Sequence, residues 1–241
     1  HFEGRITMKA MIVSDFAVLR SVLLQLLGIC AIIALFMGYA MGTLVGGAAA
    51  IAAMPPFMLL FSLAATDEQN GWERFRLTLP LTRRQVVFGR YASLALVAIG
   101  TIVFALALSF LLLGVISCMP AGTLPEGLTP AENPPAALVG SVVGAVGVIT
   151  LGMAVTLPLV FRFGMTRATR FVPVVVVIAI ACGIGFFDAG IQPTGVLADL
   201  VQWLDTGSNY LFLAAALVAV VALIYVASAF VAAKLYEKRE F

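Results

Sequence analysis

SVLLQLLGICAIIALFMGYAMGTLVGGAAAIAAMPPFMLLFSLAAT, residues 21–66, runs its whole length without an Asp, Glu, Lys, Arg or His. As one straight helix at 1.5 Å per residue it would measure roughly 69 Å, over twice the ~30 Å hydrocarbon core of a bilayer. The stretch must therefore fold back on itself, and Gly38, Gly42, Thr43, Gly46 and Gly47 mark where. This predicts two membrane-crossing helices, 22–41 and 44–65, joined by a tight turn.

The rest of the chain repeats the pattern. Apolar stretches at 92–118, 136–161, 171–187 and 210–233 are each long enough for a span or close to it, which brings the expected number to six. The fifth is the shortest and opens on Pro173, which is tolerated in a first helical turn. Of the 241 residues, 62% are hydrophobic and 11% charged, with a mean hydropathy of +1.11. A soluble domain carries about 25% charged residues, so a chain this poor in charge cannot cover a water-facing surface. The expectation is an all-α polytopic membrane protein, one transmembrane domain over 8–241. The leader His1-Phe2-Glu3-Gly4-Arg5-Ile6-Thr7 reads as a tag remnant, which puts the native start at Met8. Cys30, Cys118 and Cys182 lie far apart in apolar runs, as buried free thiols do.

Charge sets the orientation. Arg5, Lys9 and Arg20 precede the first span, and Arg74, Arg76, Arg83, Arg84 and Arg90 lie between the second and third. Arg162, Arg167 and Arg170 separate the fourth from the fifth, and Lys234, Lys238 and Arg239 follow the sixth. All 14 Lys and Arg thus fall on one side, facing Glu126, Glu132, Asp188, Asp199 and Asp205 on the other. The positive-inside rule then puts both termini in the cytoplasm. Met8 to Arg20, with Met11, Ile12, Phe16 and Leu19 set against Lys9, Asp15 and Arg20, reads as a cytoplasmic interfacial helix leading into the first span. On the outer side, 119–135 reads as an irregular loop rich in Pro and Gly. Val196, Leu197, Leu200, Val201 and Leu204 recur at helical spacing, as in a short helix lying at the outer interface.

Chemistry is scarce. The expected spans hold no ionisable residue, which argues against a proton-coupled carrier. Pro55-Pro56 would free backbone carbonyls in mid-membrane, either for a sodium site or for a kink that helps helices pack, and Pro158 is read the same way. With histidine confined to His1, an intramembrane hydrolase lacks its base and a metal cluster lacks its ligands. No Walker-type G-x-x-x-x-G-K-[ST] occurs, so no ATP or other cofactor site is expected in the chain, and no nucleic-acid partner. Gly38, Gly42 and Gly46, and Gly140 with Gly144, are spaced to let helices approach closely, within one chain or across a dimer.

The longest cytoplasmic connection, 66–91, has a definite grammar. Asn70-Gly71 signals a turn, and a short amphipathic helix through Trp72, Phe75 and Arg76 ends before Pro80. Thr82 with Gln85 forms a capping box that opens the helix of the third span. A short helix with one aromatic and one charged face seats equally well in a groove on a soluble partner or against anionic lipid.

Here the sequence resembles the ABC-2 type permeases, in particular short bacterial members with six spans. The resemblance rests on Asp67-Glu68-Gln69-Asn70-Gly71-Trp72-Glu73-Arg74-Phe75, then Leu79-Pro80, Arg83-Arg84 and Gly89-Arg90-Tyr91, with Met8-Lys9-Ala10 and Asp15-Phe16 fitting the family's start. It implies that the chain is not itself an enzyme but the membrane subunit of an exporter in the bacterial cytoplasmic membrane. It would pair with a second copy or a similar permease and bind cytoplasmic ATPase subunits that hold the ATP and Mg. Residues 72–79 would be the coupling helix docked on the ATPase, with Asp67, Glu68, Gly71, Trp72, Glu73, Arg74, Phe75, Leu79, Pro80, Arg83 and Arg84 forming the coupling interface. The N-terminal helix would pack beside it, and 190–206 would match the re-entrant outer helices of related exporters. Substrates in similar systems are amphipathic: peptides, bacteriocins, drugs and lipids. Two other readings fit six spans: a substrate-binding subunit of a vitamin or metal uptake system, and a non-transporting immunity factor or scaffold.

Overall fold

The bend expected within 21–66 falls where α1 (Phe2–Met41) hands over to α2 (Leu44–Gln69). Gly42 takes φ 66°, a left-handed conformation open to glycine at little cost, and Thr43 caps α2 by accepting a hydrogen bond from the Val45 N–H at 3.3 Å. The computed structural model describes residues 2–71, 82–120, 126–164 and 210–238. Its other helices are α3 (Arg83–Ser117), α4 (Pro135–Phe163) and α5 (Tyr210–Glu237), with one 3-10 turn at Glu126–Leu128. Among the described residues there is no strand, and five helices are long and apolar enough to cross a membrane. The span expected at 171–187, the outer helix at 196–204 and the connection 72–81 lie outside the described residues.

One expectation changes. Instead of a separate interfacial helix before the first span, α1 runs unbroken for 40 residues, about 60 Å at the usual rise. No proline interrupts it and its residues from 8 to 27 carry no glycine, so nothing in the backbone favours a break. Its apolar window, Val22–Ala40, is the membrane-crossing part, and the N-terminal half extends the same helix beyond it.

Half of α2's most apolar window is buried, against 17–28% for the other four, so α2 is the central helix. It packs on α1, α3 and α4, and α5 closes against α4 and α3. The core forms two layers. One, at the end bearing residues 67 and 90, gathers Leu59, Leu63, Val87, Leu94, Leu157 and Tyr225. The other, towards the α1–α2 turn, gathers Ala34, Ala48, Ile51, Leu128, Leu138 and Val142. Close approach is made at Gly47, where an added Cβ would sit 2.9 Å from the Ala34 carbonyl oxygen. Gly140 and Gly144, flagged by their spacing, face open space among the described residues, so they bring no helix close here.

Two of the three internal prolines, Pro56 and Pro158, are compensated across helices. Proline lacks the N–H that would bond the carbonyl four residues back. Pro56 thereby frees the Ala52 carbonyl, and the Thr101 hydroxyl of α3 reaches it at 3.2 Å while also contacting its own Ala98 carbonyl at 2.9 Å. Pro158 frees the Ala154 carbonyl, and Ser228 of α5 donates to it at 2.5 Å. For these two carbonyls the packing reading of the prolines holds.

Candidate functional site

The helix ends that flank 72–81 are held by local chemistry. α2 ends with Asp67 and Glu68 in its last turn, where a carboxylate opposes the helix dipole and needs a compensating cation. Asn70 then caps the helix, donating its N–H to the Thr66 carbonyl at 3.1 Å and its side-chain amide to the same oxygen at 3.0 Å. Gly71 follows at φ 63°, turning the chain away. On the far side of the connection the expected capping box is present. Thr82 accepts from the Gln85 N–H at 3.3 Å, and the Gln85 side chain accepts from the Thr82 N–H at 3.0 Å.

Between these ends lies a buried cluster of charge. Arg90 of α3, 5% exposed, pairs with Asp67 of α2 through a hydrogen bond from Nη2 and with Asp15 of α1, 2% exposed, at 3.4 Å from Nη1. Nη1 finds no hydrogen-bond acceptor among the described residues. Ser93, one turn further along α3, donates to the other Asp15 oxygen at 3.1 Å. One guanidinium thus faces carboxylates from two other helices, away from water, where a charge is tolerated only when paired.

The neighbouring turn carries a hydroxyl network. Ser228 spends its single proton on the Ala154 carbonyl, so the Tyr91 hydroxyl donates to Ser228, at 2.8 Å. Tyr225 donates to the Tyr91 carbonyl at 3.0 Å, and the two rings meet at 4.9 Å. Beside them an apolar cleft of about 440 Å³ opens between α3, α4 and α5, lined among others by Ile99, Val146, Met153 and Val221. Its two hydroxyl groups, on Thr150 and Tyr225, already donate to backbone carbonyls.

The residues expected at a coupling interface divide three ways. Asp67 enters the charge cluster, with Glu68 and Gly71 beside it at the end of α2. Arg83 and Arg84 turn to the C-terminus of α5. Arg83 donates to the Tyr236 and Glu237 carbonyls at 3.3 and 2.7 Å, where a cation also favours the helix dipole, and Arg84 pairs with the Glu237 carboxylate at 2.6 Å. Trp72, Glu73, Arg74, Phe75, Leu79 and Pro80 lie outside the described residues. Asp15, Arg90 and Ser93 were not singled out as site residues from sequence. Asp15 carries one available signal, a carboxylate set directly beside Phe16 in an apolar helical pattern.

The arrangement is mechanical: it ties both roots of one connection to a third helix. Among the described residues no group of three His, Cys, Asp or Glu could hold a metal ion. Compared with known families, residues 10–237 match the model described as ABC-2 family transporter protein. No curated protein and no solved structure matches the chain.

Proposed function

The chain belongs to the ABC-2 transporter family, and from that premise we propose that it is the permease subunit of an ATP-driven exporter of amphipathic substrates. The observation that carries the reading is the family match over nearly the whole chain. The geometry supports it, because the two helix ends flanking 72–81 are rigidly capped and share a buried ion cluster with α1. In this reading six helices span the bacterial cytoplasmic membrane with both termini inside, and 72–79 docks on a cytoplasmic ATPase that binds ATP and Mg. Two permeases pair, as copies or with a similar chain. Closure of the ATPase subunits displaces the docked segments, and the displacement passes into α2 and α3. The apolar character of the spans suits a peptide, drug or lipid whose apolar part travels without charged contacts.

The test is a gentle-detergent pull-down from native membranes, with co-purifying proteins identified by mass. A stoichiometric ATPase that is lost on substituting Trp72 and Glu73 is the expected result. Recovery of no ATPase under several mild conditions overturns the reading. Retention of full ATPase stimulation in a Trp72→Ala complex would remove the docking role from 72–79.

A further inference from the structure

We propose that Arg90 is a positioning residue that locks the N-terminal half of α1 to both roots of the 72–81 connection, so that the three helix ends move as one piece. The proposal rests on the permease reading for its meaning, but its geometry stands on this chain alone. The roots of the connection are the end of α2 and the start of α3. Asp67 lies in the last turn of α2, and Arg90 lies on the buried face of α3. Their hydrogen bond joins the two roots. The same guanidinium faces Asp15, which belongs to neither root but to α1, and Ser93 gives Asp15 a second tie to α3. Asp15 lies ahead of the apolar window of α1, so the lock grips this helix on its extension and not in its membrane-crossing part.

One guanidinium shared between a buried carboxylate, Asp15, and a half-buried one, Asp67, makes the lock cooperative. Without it, two like charges from α1 and α2 lose the counter-charge they share, and their repulsion favours separation of the two helices. A movement imposed on 72–81 therefore carries α1 with it while Arg90 is present, and leaves α1 behind when Arg90 is gone.

The test uses the full-length chain in detergent with Cys30, Cys118 and Cys182 replaced and spin labels placed in pairs, read by double electron–electron resonance. Val13 and Leu96 are exposed label sites at 67% and 47%, and Gln69 is exposed at the end of α2. Tyr39 and Met54, at 65% and 37%, give a control pair far from the lock. In Arg90→Gln the Val13–Gln69 and Val13–Leu96 distance distributions should broaden roughly twofold or more, as a locally opened joint does, with Tyr39–Met54 unchanged. Asp15→Asn should broaden the Val13 pairs while Gln69–Leu96 stays narrow, and Arg90→Lys should recover most of the narrow distribution. The proposal is overturned if the Val13 pairs stay narrow in Arg90→Gln and Asp15→Asn, or if the control pair broadens equally. Because no ATPase is needed, failure here is separate from failure of the pull-down.

Discussion

The two ends of the molecule are tied by opposite means. At the α1–α2 turn the hub is Asn133, fully buried and neutral. Its carbonyl oxygen accepts from the Leu44 N–H at 2.8 Å and the Thr43 hydroxyl at 3.2 Å, and its amide donates to the Gly127 and Thr129 carbonyls at 2.8 and 3.0 Å. That uses the whole capacity of the side chain: two donors and two lone pairs. Backbone follows backbone there, since a Cβ on Gly127 would fall 2.1 Å from the Gly42 carbonyl oxygen. At the other end the hub is Arg90, charged, with one terminal nitrogen not hydrogen-bonded among the described residues. A saturated neutral hub has one arrangement. The charged hub is held by attraction that falls off gradually with distance, as the 3.4 Å approach of Nη1 to Asp15 illustrates.

That contrast can be broken at its charged end first. Arg90→Leu removes the cation shared by the buried Asp15 and the half-buried Asp67 and should cost about 3–5 kcal/mol, read as a lowered unfolding midpoint in detergent. The triple change Asp15→Leu, Asp67→Leu and Arg90→Leu should recover most of that loss, because the charge problem disappears with the charges. A triple variant as unstable as Arg90→Leu would show that shape and not charge holds this end.

Asn133→Ala comes next, at about 1–3 kcal/mol, since it strands the buried Leu44 N–H and two carbonyls without adding a buried charge. If it exceeded Arg90→Leu in the same assay, the ranking of the two ends would invert. Smaller again is Thr101→Val, expected near 0.6 kcal/mol, the average for a hydrogen bond between membrane helices. The cost should shrink in a Pro56→Ala background, where the Ala52 carbonyl regains its own N–H partner, and an equal cost in both backgrounds would disconnect Thr101 from the proline. Arg84→Ala should leave the unfolding midpoint unchanged, because the Arg84–Glu237 pair is exposed to water at 66% and 39% and such pairs contribute little.

What the sequence disclosed and what it hid follow the same division. The turn at 42–43, the Asn70-Gly71 stop and the Thr82–Gln85 box were legible because each is written in neighbouring residues whose backbone preferences decide it. The membrane-crossing helices were legible because lipid leaves a long apolar segment no other solution. That Asp15, Asp67 and Arg90 meet was not, because helical periodicity gives a face but not which helix lies against it. Asp15 read as part of a polar face lying on the membrane surface, whereas its carboxylate is buried against α3. The proline partners Thr101 and Ser228 were hidden for the same reason, each belonging to a different helix from the carbonyl it serves.

The Thr101 hydroxyl stands between two acceptors, one on its own helix and one on α2. Ala52 is fully buried, so the carbonyl that Pro56 frees has no water to turn to, and the Thr101 hydroxyl lies within reach of it and of its own helix at once. A gap that would ordinarily leave the most enclosed helix of the bundle with a bare polar atom in oil is in this way bridged from its neighbour.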